Sequence, residues 1–130
     1  MHDLTVLTLV PNAGDRLARC LESVQWANDI FCVVDPNTTD GSDAVAREYT
    51  EHVCVHEYVN AAAQRNWAIP QIETEWTLVL DADEWVSPEL AARIQEVIKD
   101  PGSCDGYDVK RMSYFMGRLM RHCGWHHRLR

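Results

Sequence analysis

The feature that most constrains this chain is a regular alternation of short apolar runs with segments of helical periodicity. Four runs rich in apolar residues occupy 4–10, 30–34, 52–57 and 76–80, and a further strand is predicted at 107–112. Between and after the four runs, apolar residues recur every three or four positions, which is typical of helices with one buried face. This alternation predicts an α/β domain with a mostly parallel sheet and helices on both faces, because right-handed crossovers place them there.

Capping residues and prolines predict where the helices begin and end. Asp15 and Ser42 stand where they could cap the first two helices, and Ser87 followed by Pro88 is a strong start for the fourth. Pro70 stops the third helix, because proline lacks the N–H that a helix interior requires. Each predicted helix therefore has at least one defined boundary.

One compact domain is the expected organisation of 130 residues, of which 46% are apolar. Residues 1–108 carry all 20 acidic side chains and six basic ones, a net charge of -14, whereas residues 109–130 carry the other six basic ones, a net charge of +6. We treat 1–108 as the ligand-binding part. The basic segment 109–130 could contact pyrophosphate, an anionic acceptor or a membrane surface, or simply balance charge within the fold. The acidic body argues against nucleic acid as a partner.

The cytoplasm is the compartment that the sequence favours. No stretch approaches the roughly 18 uncharged apolar residues of a spanning helix, and residues 1–10 lack the basic start and cleavage site of a signal peptide. The five cysteines include no C-x-x-C pair, which is typical of reduced thiols. The histidines and cysteine within 122–127 match no standard zinc spacing, so a packed or solvated basic end is the favoured interpretation.

Polar residues concentrate after the first, second and fourth predicted strands. In open parallel sheets, ligands bind beyond the carboxyl ends of the strands, so this placement predicts a site at that end of the sheet. The residues are Asn12, Asp35, Asn37, Thr38, Thr39, Asp40, Asp81, Asp83 and Glu84.

The acidic turn at 81–84 is the strongest candidate for a metal site. Asp81, Asp83 and Glu84 directly follow an apolar strand, and close carboxylates repel one another unless a cation or a set of donors offsets their charge. Oxygen ligands favour Mg²⁺ or Mn²⁺ over zinc, and such ions keep coordination positions open for phosphates. The alternative is a solvated acidic turn that caps the following helix, because D-x-D is a common tripeptide.

Three further residues are candidates for binding an anionic or nucleotide ligand. Arg65 lies on the polar face of an alanine-rich helix, where its guanidinium could clamp phosphate oxygens or pair with a surface acid. Asp35 and Asp40 bracket a tight loop, in which one carboxylate could accept the imide hydrogen of uracil or thymine. The alternative is that these carboxylates stabilise the loop as Asx turns.

Four segments together resemble the family 2 glycosyltransferases, which have the GT-A fold, a Rossmann-like α/β fold. The segments are RCLESV at 19–24, VVDPNTTDGS at 33–42, AQRN at 63–66 and LDADE at 80–84. Their order and spacing are similar to those of the bacterial lipopolysaccharide core β-glucosyltransferases, and 106–130 resembles the later motifs of that subgroup. Each motif is common by itself, whereas the four segments together with 106–130, all in register, are specific.

The resemblance implies a function and a role for each candidate residue. Asp35 would lie near the base of a uridine-type nucleotide, with Asp40 in the same substrate-binding loop. Arg65 would lie near the diphosphate, Asp81 near the ribose and the metal, and Asp83 on the metal, Mn²⁺ or Mg²⁺. The implied reaction transfers a sugar from a UDP-sugar to a hydroxyl of a glycan or lipid-linked acceptor, usually with inversion. Lipopolysaccharide or another cell-envelope glycan would be built in the cytoplasm, at the cytoplasmic face of the inner membrane.

The chain departs from the family pattern in two places. Asn12-Ala13-Gly14 stands where the family has Asn-Glu-Glu, and the chain ends at Arg130, whereas family members continue into a region that supplies the catalytic carboxylate. We therefore expect a GT-A domain truncated at its C-terminus, and we assign no catalytic base. Two alternatives remain. One is a non-catalytic module that binds a partner or membrane through 109–130; the other is a nucleotidyltransferase, against which the absence of a glycine-rich basic loop counts.

Overall fold

Strands and helices alternate in the described part of the chain in the order that the apolar runs predict. The computed structural model describes residues 3–99 and, after them, four short strands. The elements are β1 (Leu4–Val10), α1 (Arg16–Glu22), β2 (Asp29–Val34), α2 (Ser42–Tyr49), β3 (Val53–Val55), α3 (Ala61–Ala68), a 3₁₀ turn (Ile69–Gln71), β4 (Trp76–Val79), α4 (Pro88–Lys99), β5 (Tyr107–Lys110), β6 (Ser113–Phe115), β7 (Arg118–Met120) and β8 (His126–Leu129). Among the described helices, none has both the length and the apolar character needed to cross a membrane.

A six-stranded sheet in the order β3-β2-β1-β4-β8-β5 carries the fold, and β6 and β7 pair separately. β1 is parallel to β2, from Thr5 beside Asp29 to Val10 beside Val34, and parallel to β4 on its other side. β3 is parallel to β2, whereas β8 is antiparallel to β4 and β5. The predicted mostly parallel sheet is confirmed for β1 to β4. The carboxyl ends of these four strands lie at one end of the sheet.

Helices cover both faces of the sheet, as predicted. On one face, Leu17 of α1, Ala46 of α2 and Ile94 of α4 belong to one buried cluster with alternate residues of β1, including Leu4. On the other face, Leu7 belongs to a second buried cluster with residues of α3. Successive side chains of a strand point to opposite faces, so β1 contributes to both clusters. Burying each such leucine or isoleucine side chain stabilises the fold by roughly 1.5–3 kcal/mol.

The predicted capping is confirmed for the fourth helix and wrong for the first two. Ser87 caps α4 through its hydroxyl, which accepts a backbone N–H at 3.1 Å. Asp15 occupies the N-cap position of α1 without a side-chain bond, because its backbone is already helical, whereas a capping residue is extended. Ser42 is the first residue of α2, after Gly41 with its left-handed φ of 83°, and its hydroxyl donates to Asp40 instead of capping.

Candidate functional site

A cavity of about 410 Å³ opens at the carboxyl ends of the parallel strands. It is lined by the end of β1, the loops after β2 and β3, one side of α3 and the turn after β4. Sheets of this kind bind ligands at such positions, because the loops that follow parallel strands converge there. The cavity brings together five residues that the sequence predicts at the site: Asn12, Asp35, Arg65, Asp81 and Asp83.

Hydrogen bonds hold the acidic turn after β4 in one shape. The Glu84 N–H donates to the Asp81 carbonyl at 3.0 Å, and the Asp81 N–H donates to Oε1 of Glu84 at 3.0 Å. The Cys20 thiol of α1 donates to the same Asp81 carbonyl at 3.5 Å. One carboxylate of the turn therefore closes the turn itself, while Asp81 and the exposed Asp83 line the cavity.

The three acidic side chains of the turn form a set of oxygen donors. Asp81, Asp83 and Glu84 each offer a carboxylate oxygen, and these atoms all lie within 4.8 Å of one another. A set of this kind fits a hard divalent cation such as Mg²⁺ or Mn²⁺. Asp81 and Asp83 also line the cavity, whereas Oε1 of Glu84 accepts the Asp81 N–H, so Asp81 and Asp83 are the residues that would hold the ion.

Arg65 reaches the same cavity from α3. Its Nη2 lies 3.7 Å from Oδ1 of Asp81, and the two side chains are 38% and 41% exposed. The Arg65 Nε is buried and has no hydrogen-bond partner among the described residues. An ion pair this long and this exposed contributes little to stability. The guanidinium therefore keeps N–H donors for the oxygen atoms of a ligand.

Asp40 joins the loops after β1 and β2 and is not among the residues that line the cavity. Its Oδ2 accepts the Gly14 N–H at 2.9 Å, and its Oδ1 accepts the Ser42 N–H and hydroxyl at 3.0 and 2.6 Å. Asn12 strengthens the same junction, because its Oδ1 accepts the Thr39 N–H at 2.8 Å. The Ser42 hydrogen bond lowers the pKa of the Asp40 carboxyl below its ordinary value of 3.8. These contacts give Asp40 a role in loop geometry, and its contact with substrate stays a prediction.

Asp35 lies on the β2 side of the cavity and also stabilises its own loop. Its Oδ1 accepts the Asn37 N–H at 2.9 Å, which is the Asx-turn alternative considered for this residue. Its backbone N–H donates to the Val10 carbonyl at 3.0 Å and fixes Asp35 beside the end of β1. The side chain lines the cavity as well, so the two interpretations are compatible. The contact with a nucleobase stays a prediction.

Among the cavity-lining residues that the sequence analysis does not single out are one aromatic and one basic side chain, Tyr58 and Arg16. Tyr58 follows β3, and the placement of polar residues points only to the first, second and fourth strands. The same strand-end rule applied to the third strand identifies Tyr58. Arg16 begins α1 and is exposed, as expected from helical periodicity, yet it also lines the cavity. Periodicity separates buried from exposed residues, and it does not distinguish open solvent from a cavity.

Two glycosyltransferases are similar to this chain in sequence. An uncharacterized glycosyltransferase of Rickettsia felis is 30% identical over 97 residues, which is 75% of this chain and 34% of that protein. The lipopolysaccharide core biosynthesis glycosyltransferase LpsC of Rhizobium meliloti is 25% identical over 119 residues, 88% of this chain and 44% of that protein. The chain thus spans less than half the length of either relative.

A solved structure shows the same fold. The mannosyltransferase PcManGT from Pyrobaculum calidifontis, in complex with GDP-Man and Mn²⁺, matches with a TM-score of 0.58 at 21% identity over 75% of this chain and 32% of that one. This likeness confirms the GT-A fold that the sequence motifs implied. The sequence model of the family described as glycosyl transferase family 2 matches residues 5–128, nearly the whole chain. The chain therefore belongs to glycosyl transferase family 2.

Proposed function

We propose that this chain binds a nucleotide-diphosphate sugar and forms the donor side of a glycosyl transfer to an acceptor hydroxyl. The observation that carries the proposal is the meeting of Asp81, Asp83 and Arg65 in one cavity, with 3.7 Å between Arg65 and Asp81. Two carboxylates beside a guanidinium suit a ligand that brings a diphosphate together with a divalent cation. Membership in a family of glycosyl transferases supports the same class of ligand.

Asp81 and Asp83 would hold the cation, Mn²⁺ or Mg²⁺. When bound, the ion offsets negative charge on the leaving nucleoside diphosphate. Arg65 would donate hydrogen bonds to the diphosphate oxygens. Glu84 keeps the turn in place by accepting the Asp81 N–H. The structure of PcManGT with GDP-Man and Mn²⁺ supports a divalent ion for this fold.

The strand order sets the direction in which the donor would lie. β2 and β4 flank β1, so Asp35 and the acidic turn follow strands that are two spacings apart, about 10 Å. With the diphosphate bound by Arg65 and by an ion at the acidic turn, the nucleobase would extend toward Asp35. A carboxylate there would accept the imide hydrogen of uracil, and we propose a UDP-sugar as the donor.

For the acceptor, we propose a hydroxyl of a cell-envelope glycan, free or lipid-linked, attacked with inversion at the anomeric carbon. The name of LpsC, which refers to lipopolysaccharide core biosynthesis, supports this class of acceptor. The net charge of +6 in 109–130 suits contact with the anionic cytoplasmic face of the inner membrane, where we propose that the protein acts. We assign no residue of this chain as the base that removes the acceptor proton.

Calorimetric titration of the chain with UDP and UDP-sugars tests the proposal. We expect binding in Mn²⁺ that is lost in EDTA and in Asp83→Asn, because the variant keeps the side-chain shape and removes the charge. Glu89→Gln is the matched control, since Glu89 is an exposed acid in the first turn of α4 and does not line the cavity. Nucleotide binding that is equal in wild type and Asp83→Asn, or absent from the wild type, would refute the proposal.

The second candidate function is a non-catalytic module that binds an anionic membrane through 109–130. The charge difference between -14 in residues 1–108 and +6 in residues 109–130 favours it. It predicts sedimentation with phosphatidylserine vesicles that falls steeply between 50 and 500 mM salt, concentrations that shorten the Debye length several-fold from about 14 Å. Such a module would not bind UDP, and the absence of UDP binding would distinguish it from the proposed glycosyltransferase.

A further inference from the structure

Among the described residues, Tyr58 is the aromatic one that lines the cavity. It lies in the loop between β3 and α3, and 47% of its surface is exposed. A large ring is usually buried in the core or used at a binding surface, because its apolar faces are costly to leave in water. Here the ring stands at the wall of a cavity that also has polar groups for a nucleotide, so a ligand can cover it.

The loop that carries Tyr58 is anchored on both sides. Before it, the His56 N–H donates to the Val34 carbonyl at 3.2 Å, and the His56 ring stacks on Trp67 with centroids 3.9 Å apart. The buried Gln64 side chain bonds His56 twice, at 2.7 Å to Nδ1 and 3.1 Å to the carbonyl oxygen.

After the loop, Asn60 caps α3 by accepting the Ala63 N–H at 2.7 Å. Three residues, 57–59, therefore span two fixed points, with Tyr58 in the middle. A ring presented by a short anchored loop is largely pre-organised, which lowers the entropy lost when a ligand binds.

Tyr58 lies on the side of the cavity that we assign to the nucleobase. β3 is the neighbour of β2, so the loop that carries Tyr58 follows the strand next to the one that ends at Asp35. The acidic turn follows β4, which lies on the far side of β1. Other residues on the Tyr58 side, Val33 and Ala61, add apolar surface to the lining. A flat, weakly polar ligand group fits there better than a phosphate does.

We propose that Tyr58 is the platform on which the nucleobase of the donor stacks, while Asp35 contacts the edge of the same base. This inference rests on the proposed function and adds a specificity-determining residue to it. Stacking uses the face of the ring and not its hydroxyl, so phenylalanine should replace Tyr58, whereas alanine should not. Removing the platform should weaken the binding of any ligand with a base and spare a ligand that has only the diphosphate.

The test is calorimetric titration of the full chain in Mg²⁺ with two probes, UDP and inorganic pyrophosphate. We compare wild type with Tyr58→Ala, Tyr58→Phe and the control Val59→Ala, which changes a neighbouring side chain that is 72% exposed and does not line the cavity. We expect Tyr58→Ala to raise the Kd for UDP about tenfold and to leave the Kd for pyrophosphate unchanged. Tyr58→Phe and Val59→Ala should bind both probes as the wild type does.

Each other outcome contradicts the inference in a distinguishable way. If Tyr58→Ala binds UDP like the wild type, Tyr58 is not a platform, and the proposed function stands. If it loses UDP and pyrophosphate equally, the substitution has disturbed the cavity as a whole, and the base-specific role is refuted. If the wild type binds UDP no more tightly than pyrophosphate, the base adds no binding energy and no base platform exists. If the wild type does not bind UDP at all, the proposed function falls together with the inference.

Discussion

The carboxylates at the carboxyl end of the sheet divide into two groups by what they contact. Glu84 and Asp40 accept backbone N–H groups and hold a turn and a loop junction in place. Asp81 and Asp83 line the cavity. A carboxylate that accepts several protein hydrogen bonds is stabilised in its charged form and has fewer lone pairs for a ligand. The metal is therefore assigned to Asp81 and Asp83 rather than to every acid nearby, and the diphosphate is assigned to Arg65 and to the bound metal.

Substitutions of Arg65 can distinguish the effect of its positive charge on UDP binding from the effect of its guanidinium geometry. We expect Arg65→Ala to weaken UDP binding in Mg²⁺ by roughly 10- to 100-fold, because hydrogen bonds to charged groups contribute about 1.5–3 kcal/mol each. The affinity of Arg65→Lys for UDP should lie between those of the wild type and Arg65→Ala, since an ammonium group restores the positive charge without the planar guanidinium. Calorimetric Kd values provide the measurement.

Arg93→Ala is the control for Arg65, because Arg93 is an exposed arginine of α4 with a side chain that is 67% accessible and an i,i+3 partner at Glu96. It should bind UDP like the wild type. Equal losses in Arg65→Ala and Arg93→Ala would mean that only the overall charge of the protein matters.

Which residues line the cavity could in part be predicted from the sequence, and what each contacts could not. Asp35, Arg65, Asp81 and Asp83 were identified by type and by position after a strand or on a helix face, and all four line one cavity. Asp40 was identified by the same rule, but its oxygens face Gly14 and Ser42. The difference depends on the path of two loops that meet only in the folded chain, and no local pattern encodes that meeting.

At the scale of elements, helix starts illustrate where local signals succeed. Ser87 caps α4 as predicted, because Pro88 and the following apolar stripe leave one place for the first turn. Ser42 was predicted as a cap by its residue type, but Asp40 and the left-handed Gly41 take over the turn before α2. Residue type therefore locates a helix start to within one position, and the conformation of the preceding loop decides whether that side chain caps the helix.

The cap of α4 gives the prediction at this scale. Ser87→Ala should lower the free energy of unfolding by about 1 kcal/mol, because the Leu90 N–H would lose its partner at the helix start. Ser87→Thr keeps the hydroxyl and should change the free energy of unfolding by less than about half as much. Urea unfolding followed by circular dichroism measures both. An alanine variant as stable as the wild type would show that the hydroxyl does not cap the helix.

At the scale of the whole molecule, one sheet is shared by two buried clusters, and the antiparallel β8 and β5 extend it beyond β4. The parallel part follows from the alternation of strands and helices. The position of β8 between β4 and β5 does not follow from it. β8 lies late in the chain and pairs with β4, which comes much earlier in the sequence. Such non-local pairing leaves no periodic signal, so the sequence analysis predicted a strand near 107–112 and no strand at His126–Leu129.

The reactivity of the buried thiols of Cys20 and Cys32 tests whether the helices pack on the sheet as described. Burial raises the pKa of Cys20 and of Cys32 to about 12 from the ordinary value of 9.0. Among the cysteines that the structure describes, we expect iodoacetamide at pH 8 to label the partly exposed Cys54 first, and Cys20 and Cys32 only after urea unfolds the domain. Peptide mass spectrometry identifies the labelled residue. Rapid labelling of Cys20 in the native protein would contradict the described packing of α1 on the sheet.

The raised pKa values of Cys20 and Cys32 predict that the protein becomes less stable at alkaline pH. Their folded-state pKa values lie above the unfolded value, so the unfolded state ionises first. The contribution of neutral buried thiols to stability is complete below pH 9 and is lost as pH rises toward 12. Thermal unfolding scans should therefore show a midpoint that falls above pH 9, and less steeply in Cys32→Ala than in the wild type.

The most direct test of the donor site is the position of a metal ion in a crystal of this chain grown or soaked with Mn²⁺ and UDP. Anomalous scattering at the manganese edge locates the ion without assumption about its ligands. Our proposal predicts one anomalous peak within about 2–2.5 Å of carboxylate oxygens of Asp81 or Asp83, with the diphosphate of UDP between the ion and Arg65. A cavity in which Asp81 and Asp83 carry no peak, with UDP bound elsewhere or not at all, would contradict it.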